Sequence, residues 1–171
     1  MTKVESIDDV TIRLATNDDG ELIRALVFGV LDEFGLPSDP AGKDADLNDI
    51  ESNYLRSGGT FEVIEDKQGA LVGTYGLYPL DKDTVELRKM YFVPQIRGFG
   101  LGRKILERAV VKARLLGFKS IVLETISVLE TAIHLYTRFG FVPVPGKQVS
   151  ARVDQTYLLR LDLPRGPIRL D

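Results

Sequence analysis

Val85 to Gly102, VELRKMYFVPQIRGFGLG, is the stretch that decides how this chain folds. Its first half is aliphatic, β-branched and aromatic (Val85, Leu87, Met90, Tyr91, Phe92, Val93) and stops at Pro94, the composition of a strand with a definite end. Its second half sets glycines at 98, 100 and 102, just ahead of a segment in which Leu101, Ile105, Ala109, Val110, Ala113 and Leu116 share one helical face. Strand, glycine turn and helix in that order aim several backbone N–H groups and a helix N-terminus at one point. Glycine admits the backbone angles of such a turn and leaves room for an anion to approach, so a diphosphate-bearing ligand is expected.

Outward from this unit, the periodicity predicts a mixed α/β domain. Upstream, Val10 to Ala15 is a strand, Asn17 to Asp19 offer an N-cap, and Leu22, Ile23, Leu26, Val27, Val30, Leu31 and Phe34 give a helix closed by Gly35. Leu36 to Asp44 is a proline-containing loop, and Leu47, Ile50 and Tyr54 predict a shorter helix. Phe61 to Glu65 and Ala70 to Leu80, joined by the turn Asp66 to Gly69, lead into the Val85 strand as an antiparallel meander. Downstream, Ser120 to Thr125 follows the amphipathic helix, so strand, helix and strand form a parallel pair with helices on both faces of the sheet. Leu129, Ala132, Ile133 and Tyr136 mark a further helix ended by Gly140, and Phe141 to Val144 and Thr156 to Leu163 are the last strands. One domain is expected over residues 1–163, with 164–171 as a tail.

Composition narrows the chemistry. Of 171 residues, 22 are Lys or Arg and 25 are Asp or Glu, for a net charge of -3, which argues against non-specific nucleic-acid binding. The opening residues lack an apolar h-region and no later run has the length of a membrane span, so a soluble, cytoplasmic protein is expected. The absence of cysteine excludes disulfides, thiolate metal sites and a cysteine nucleophile. His134 is the one histidine, so no metal centre built on several histidines is expected.

Glycine spacing then separates the nucleotide-type turns. A dinucleotide fingerprint starting at Gly98 requires a small residue where Arg103 stands, and one starting at Gly100 requires it at Ile105. A Walker A loop from Gly98 fails because Arg103-Lys104-Ile105 replaces Gly-Lys-Ser/Thr. What remains is Gln95-Ile96-Arg97-Gly98-Phe99-Gly100, continued by Leu101-Gly102, a match to Gln/Arg-x-x-Gly-x-Gly/Ala. This resembles the pyrophosphate loop of the GNAT superfamily of acetyl-coenzyme-A-dependent N-acetyltransferases. Ala132-Ile133-His134-Leu135-Tyr136-Thr137-Arg138-Phe139-Gly140-Phe141 is similar to the same family's Ala-x-x-Leu-Tyr-x-x-x-Gly-Phe signature, at the right separation.

The resemblance implies a set of roles. The loop amides between Arg97 and Arg103 (Gly98, Phe99, Gly100, Leu101 and Gly102 among them), flanked by Gln95, would receive the pyrophosphate of acetyl-coenzyme A, with Arg97 and Arg103 adding charge-assisted contacts. Backbone groups of Met90, Tyr91, Phe92 and Val93 would bond the pantetheine arm, one N–H polarising the thioester carbonyl. Tyr136 would act as general acid toward the leaving thiolate; the alternative for a tyrosine on the apolar face of its helix is simple core packing. Glu86 is the candidate base, or else a structural ion-pair partner of Arg88, which shares its face of the strand. Glu124 and Thr125, at the end of the neighbouring strand, are further candidates to face the cleft, Thr125 among the cofactor-binding residues. His134 falls on the polar side of its helix and is read as solvated. One position departs from the family: many relatives carry asparagine where Leu129 stands.

The resemblance implies direct transfer of acetyl to a primary amine of a small molecule or peptide, without a metal and without a covalent enzyme intermediate, with a homodimer as a candidate assembly. Alternatives are another short acyl group, a protein N-terminus or lysine as acceptor, or a coenzyme-A-binding module without turnover. The acceptor walls are expected in Leu36 to Asp44, Tyr75 to Leu80 and Pro145 to Gln155.

Overall fold

The computed structural model describes residues 7–145 and 150–162. Its framework is a 7-stranded sheet in the order β1-β2-β3-β4-β5-β7-β6. The strands are β1 (Thr11–Leu14), β2 (Thr60–Glu65), β3 (Leu71–Pro79), β4 (Thr84–Phe92), β5 (Ser120–Thr125), β6 (Val142–Pro143) and β7 (Gln155–Arg160). Three α-helices join them: α1 (Gly20–Glu33), α2 (Leu101–Leu115) and α3 (Glu130–Phe139). The meander β2-β3-β4 is antiparallel and β4 runs parallel to β5, as the order of the elements requires. The expected tail, 164–171, lies outside the described residues, as does Leu163.

The sheet is buried on both sides, and alternation along each strand explains how. Phe61 and Val63 of β2 join Ile23, Val27 and Leu31 of α1 on one face, with Leu47, Ile50 and Tyr54 completing that layer. Ile64, Val85, Leu87 and Ile121 turn to the other face and meet Leu101, Ile105, Ala109 and Ala113 of α2. Glu62 points the same way yet is charged and nearly inaccessible. It accepts hydrogen bonds from the Tyr75 hydroxyl at 2.6 Å and from Arg108 of α2 at 2.6 and 3.0 Å, so its charge is paired rather than stranded.

Two local outcomes differ from the periodicity. Asn17–Asp19 do not simply cap α1 but form a 3-10 turn of their own, because the Asp19 carboxylate accepts the Thr16 amide at 2.9 Å and is clamped by Arg13. The expected helix around Leu47 to Tyr54 is a 3-10 turn (Ala45–Asn48) followed by a π-helical turn (Glu51–Leu55). The apolar residues still face inward, but the backbone is wound to suit the Asp46 and Tyr54 side chains, which hydrogen-bond each other.

Close approach of backbone to ring explains Gly76. A Cβ there would lie 2.7 Å from Phe61 Cδ2 and 2.7 Å from Tyr54 Cε1, two rings already packed edge to face at 4.9 Å. Gly76→Ala is therefore expected to cost about 1–3 kcal/mol through overpacking, read as a lowered midpoint in thermal unfolding.

Candidate active site

The cleft exists because β4 and β5 pair only briefly. Parallel register runs from Thr84↔Ser120 to Glu86↔Val122. Beyond Glu86 the strands diverge, and β5 continues its pairing with β7 alone. The second half of β4 thus has one edge without a strand partner among the described residues, opening on a cavity of about 1160 Å³.

A bulge on β4 shapes that cavity. Thr74 pairs with Tyr91 but Gly76 with Arg88, so Lys89 and Met90 together face the single residue Tyr75. Lys89 takes the left-handed conformation, φ 55°, unusual for a residue with a side chain and a strain of order 1–3 kcal/mol. The Thr74 hydroxyl donates to the Lys89 carbonyl at 2.7 Å and holds the bulge. Alternation resets across it: Val85 and Leu87 face α2 before the bulge, Met90 and Phe92 after it, while Tyr91 joins the α1 layer. Arg88 and Lys89 consequently both reach toward Asp46, at 3.8 and 3.5 Å.

At the glycine turn, Gly98 and Gly100 have φ of 89° and 79°, and Gly100 is the N-cap of α2. The amides of Gly98 through Arg103 find no acceptor among the described residues, the first helical bond to the turn being Lys104 N–H to the Gly100 carbonyl at 3.2 Å. A row of free N–H groups at a helix N-terminus is an anion receptor.

The expected site residues divide in two. Glu86, Met90, Tyr91, Phe92, Arg97, Gly98, Gly100, Leu101, Gly102, Arg103, Thr125 and Tyr136 all line the cavity, as do Glu124 and Leu129. Val93, Gln95 and Phe99 are not on its lining. The Val93 amide is committed to the Val72 carbonyl at 2.9 Å, and Gln95 is exposed. Arg97 lines the cavity but its guanidinium is engaged: it donates to the Phe92 carbonyl at 3.0 and 2.7 Å and forks onto Glu33 at 2.9 and 2.8 Å, bracing the turn against α1. His134 is exposed, on the polar side of α3.

Tyr136 is 8% exposed and packs at 5.8 Å against the Phe141 ring. Its hydroxyl has no hydrogen-bond partner among the described residues, although it lines the cavity. Burial, with a smaller contribution from Tyr91, pushes its pKa well above that of a free phenol, so it holds its proton across the neutral range. Glu86 and Arg88 do form the ion pair, Nη2 to Oε2 at 3.0 Å, and the Arg88 guanidinium lies 3.8 Å over the centre of the Tyr78 ring.

Periodicity did not reveal a buried charge cluster on the α1 side. Asp44, fully inaccessible, receives Lys89 Nζ, both terminal nitrogens of Arg152 (2.6 and 3.0 Å) and the Asp39 amide (2.8 Å). Asp46 accepts from the Tyr54 hydroxyl through one oxygen, while its other oxygen is buried with no hydrogen bond. The cluster ties the loop after α1 to the β4 bulge and to the segment before β7. A signal was present in Arg88-Lys89, adjacent charges that break strand alternation and so announce a bulge.

Fold and cleft together define an acyltransferase. Residues 16–141 match the model of the Acetyltransferase (GNAT) family, and the chain belongs to that family. It is 38% identical over 135 residues to the uncharacterized N-acetyltransferase YjgM of Escherichia coli K12, covering 76% of this chain and 80% of YjgM. Among solved structures, a GNAT acetyltransferase from Staphylococcus aureus Mu50 superimposes with a TM-score of 0.81 at 25% identity, over 90% of this chain and 99% of that one. YncA of Salmonella typhimurium, determined with its cofactor acetyl-CoA, gives 0.70 at 25% identity, over 92% and 97% of the two chains. Among the described residues no helix is long and apolar enough to cross a membrane.

Burial alone would push the Asp44 carboxyl up, but Arg152, Lys89 and the Asp39 amide outweigh it and hold the group at about 2. Because the folded value lies below the unfolded one, near 3.9, this contribution is complete above about pH 4 and is lost as pH falls through about 2. Asp44→Asn should destabilise the protein by about 3–5 kcal/mol at neutral pH, the usual cost of breaking a buried pair. The gap to wild type, followed by urea unfolding, should narrow by about 2–3 kcal/mol as pH falls through those values.

Proposed function

We propose that the protein transfers acetyl from acetyl-coenzyme A to a primary amine, within a ternary complex and without a covalent enzyme intermediate. The observation that carries this reading is the row of unbonded amides from Gly98 to Arg103 at the mouth of the β4-β5 cleft. Those amides and the positive end of α2 suit a pyrophosphate, and the glycine at position 100 keeps the approach clear of side chains. Support also comes from YncA, which shares the fold and binds acetyl-CoA.

The co-substrate supplies an activated thioester carbonyl; the chain supplies position, polarisation and proton traffic. Free backbone on the open edge of β4 would hold a pantetheine arm as it would a strand partner, and one of its N–H groups would polarise the thioester carbonyl. Arg97 is assigned to bracing the turn, which leaves phosphate recognition to amides and to Arg103, half exposed and only loosely held by Glu107 at 3.3 Å. Glu86, directly or through water, takes the proton that the amine nitrogen must lose as its lone pair bonds to the carbonyl carbon. Tyr136, still protonated, hydrogen-bonds the sulfur as the carbon–sulfur bond breaks and its electron pair stays on sulfur. A phenol with a raised pKa is a poor match for full proton transfer to a thiolate, so its contribution falls at the low end of acid–base catalysis.

Thiol release with a panel of amines, with mass spectrometry of the products, tests the reaction itself. Gly100→Asp sets a carboxylate at the anion site and should abolish acetyl-coenzyme A binding in calorimetry while circular dichroism stays native. Tyr136→Phe should keep that affinity and lower turnover about 10²-fold or less; unchanged turnover with chemistry rate-limiting would return Tyr136 to packing alone.

A further inference from the structure

We infer that the Glu86–Arg88 pair on β4 is a receptor for a zwitterionic acceptor, an α-amino acid whose carboxylate docks on Arg88 and whose amine docks on Glu86. This rests on the acetyl-transfer reading and adds the class of acceptor to it.

The cations around the cavity set the argument. Lys43 is matched to Glu124 at 3.3 Å, Arg97 to Glu33 at 2.8 Å, and Lys89 and Arg152 both to Asp44. Arg103, held by Glu107 at 3.3 Å, stands at the glycine turn; at the other end of the cavity Arg88 differs because its one hydrogen bond uses a single N–H, from Nη2 to Glu86 Oε2. Its Nε and Nη1 donors have no hydrogen-bond acceptor among the described residues, since Asp46 stands off at 3.8 Å. Stacking on Tyr78 at 3.8 Å fixes the plane of the guanidinium, and its side chain is 27% exposed, so the free donors are held and accessible. A planar fork with spare N–H groups is what binds a carboxylate in two-point fashion.

Glu86 supplies the complement. One of its oxygens is taken by Arg88 and the other, Oε1, has no donor among the described residues, in a side chain 12% exposed on the cavity wall. Donors and acceptor therefore sit side by side with fixed polarity. An α-amino acid presents the inverse arrangement, an anion and a cation one carbon apart.

Net charge gives an independent reason. In the connected cluster, Asp44, Asp46 and Glu86 balance Arg88, Lys89 and Arg152. A neutral cluster in a partly buried pocket accepts a neutral zwitterion without leaving an uncompensated charge, whereas a polyamine brings several cations to a cluster with no net negative charge to offset them.

The test compares amino acids with the same amines lacking the carboxylate: leucine with isoamylamine, phenylalanine with phenethylamine and lysine with cadaverine, with spermidine alongside. The expected result is that the amino acid of at least one pair is preferred in kcat/KM by about 10²-fold or more, and that Arg88→Gln erases this preference while Arg88→Lys restores part of it. Calorimetry of the same amino acid into the coenzyme-A-loaded protein should show binding that Arg88→Gln removes. If Arg88→Gln does not fold, Tyr78→Leu, which frees the guanidinium, should lower the same preference. Turnover of spermidine or the decarboxylated amines in preference to every amino acid would overturn the inference and leave acetyl transfer standing. Thiol release with none of these amines, in a protein that binds acetyl-coenzyme A, would overturn both.

Discussion

The divergence of β4 from β5 after Glu86 is the constraint on which the rest of the molecule depends. Two neighbouring parallel strands ordinarily saturate each other's edges, and here they stop doing so after a few residues. An unpaired strand edge shielded from water leaves N–H and C=O groups without partners, and an exposed one invites pairing with another chain. Here the bulge at Lys89 breaks the regular edge, and the edge opens on the cavity, whose wall includes residues of α2 and α3. Separation of the strands is thus both the cost of the cleft and the source of its backbone donors.

The bulge in turn depends on charge. Lys89 holds a strained conformation, and its ammonium is tied to Asp44, which is tied to Arg152. A loop after α1, the middle of β4 and the segment before β7 are therefore fixed by one carboxylate. These segments wall the end of the cavity near Glu86 and Arg88, so the rigidity of that wall is electrostatic, while the end at the glycine turn is rigid through glycine geometry and the Arg97 brace. The two halves of the cleft are built by different physics and tolerate different substitutions.

That difference explains what was legible in the sequence. The strand from Val85, the turn at Gly98 to Gly102 and the helix beyond were readable because their determinants are contiguous: period 2, glycine spacing, then period 3.6. The central parallel pair and the meander followed from element order. Tyr136 could be placed on its helix face and next to the cleft by motif. Contacts such as Asp44 with Lys89 and with Arg152 join residues 45 and 108 apart in sequence, and no local pattern encodes them. The Glu86 and Arg88 ion pair was one of two readings of their shared face, and it is formed. The engagement of Arg97 by Glu33 was not readable, because a surface glutamate at the end of α1 gives no sign of what will stand opposite it.

The sheet order carries a consequence for how the protein is made. β7 lies between β5 and β6 although it follows both in the chain. Until it is inserted, the outer edge of β5 stands open beside Ile121 and Leu123, two residues that are almost wholly buried in the finished fold. During synthesis the earlier strands and helices can associate while this gap persists, and closing it requires the late segment to slide between two partners rather than add to a rim. β7 is the keystone of the sheet, and the interval before it arrives is when a nascent chain exposes the edge most prone to pair with another.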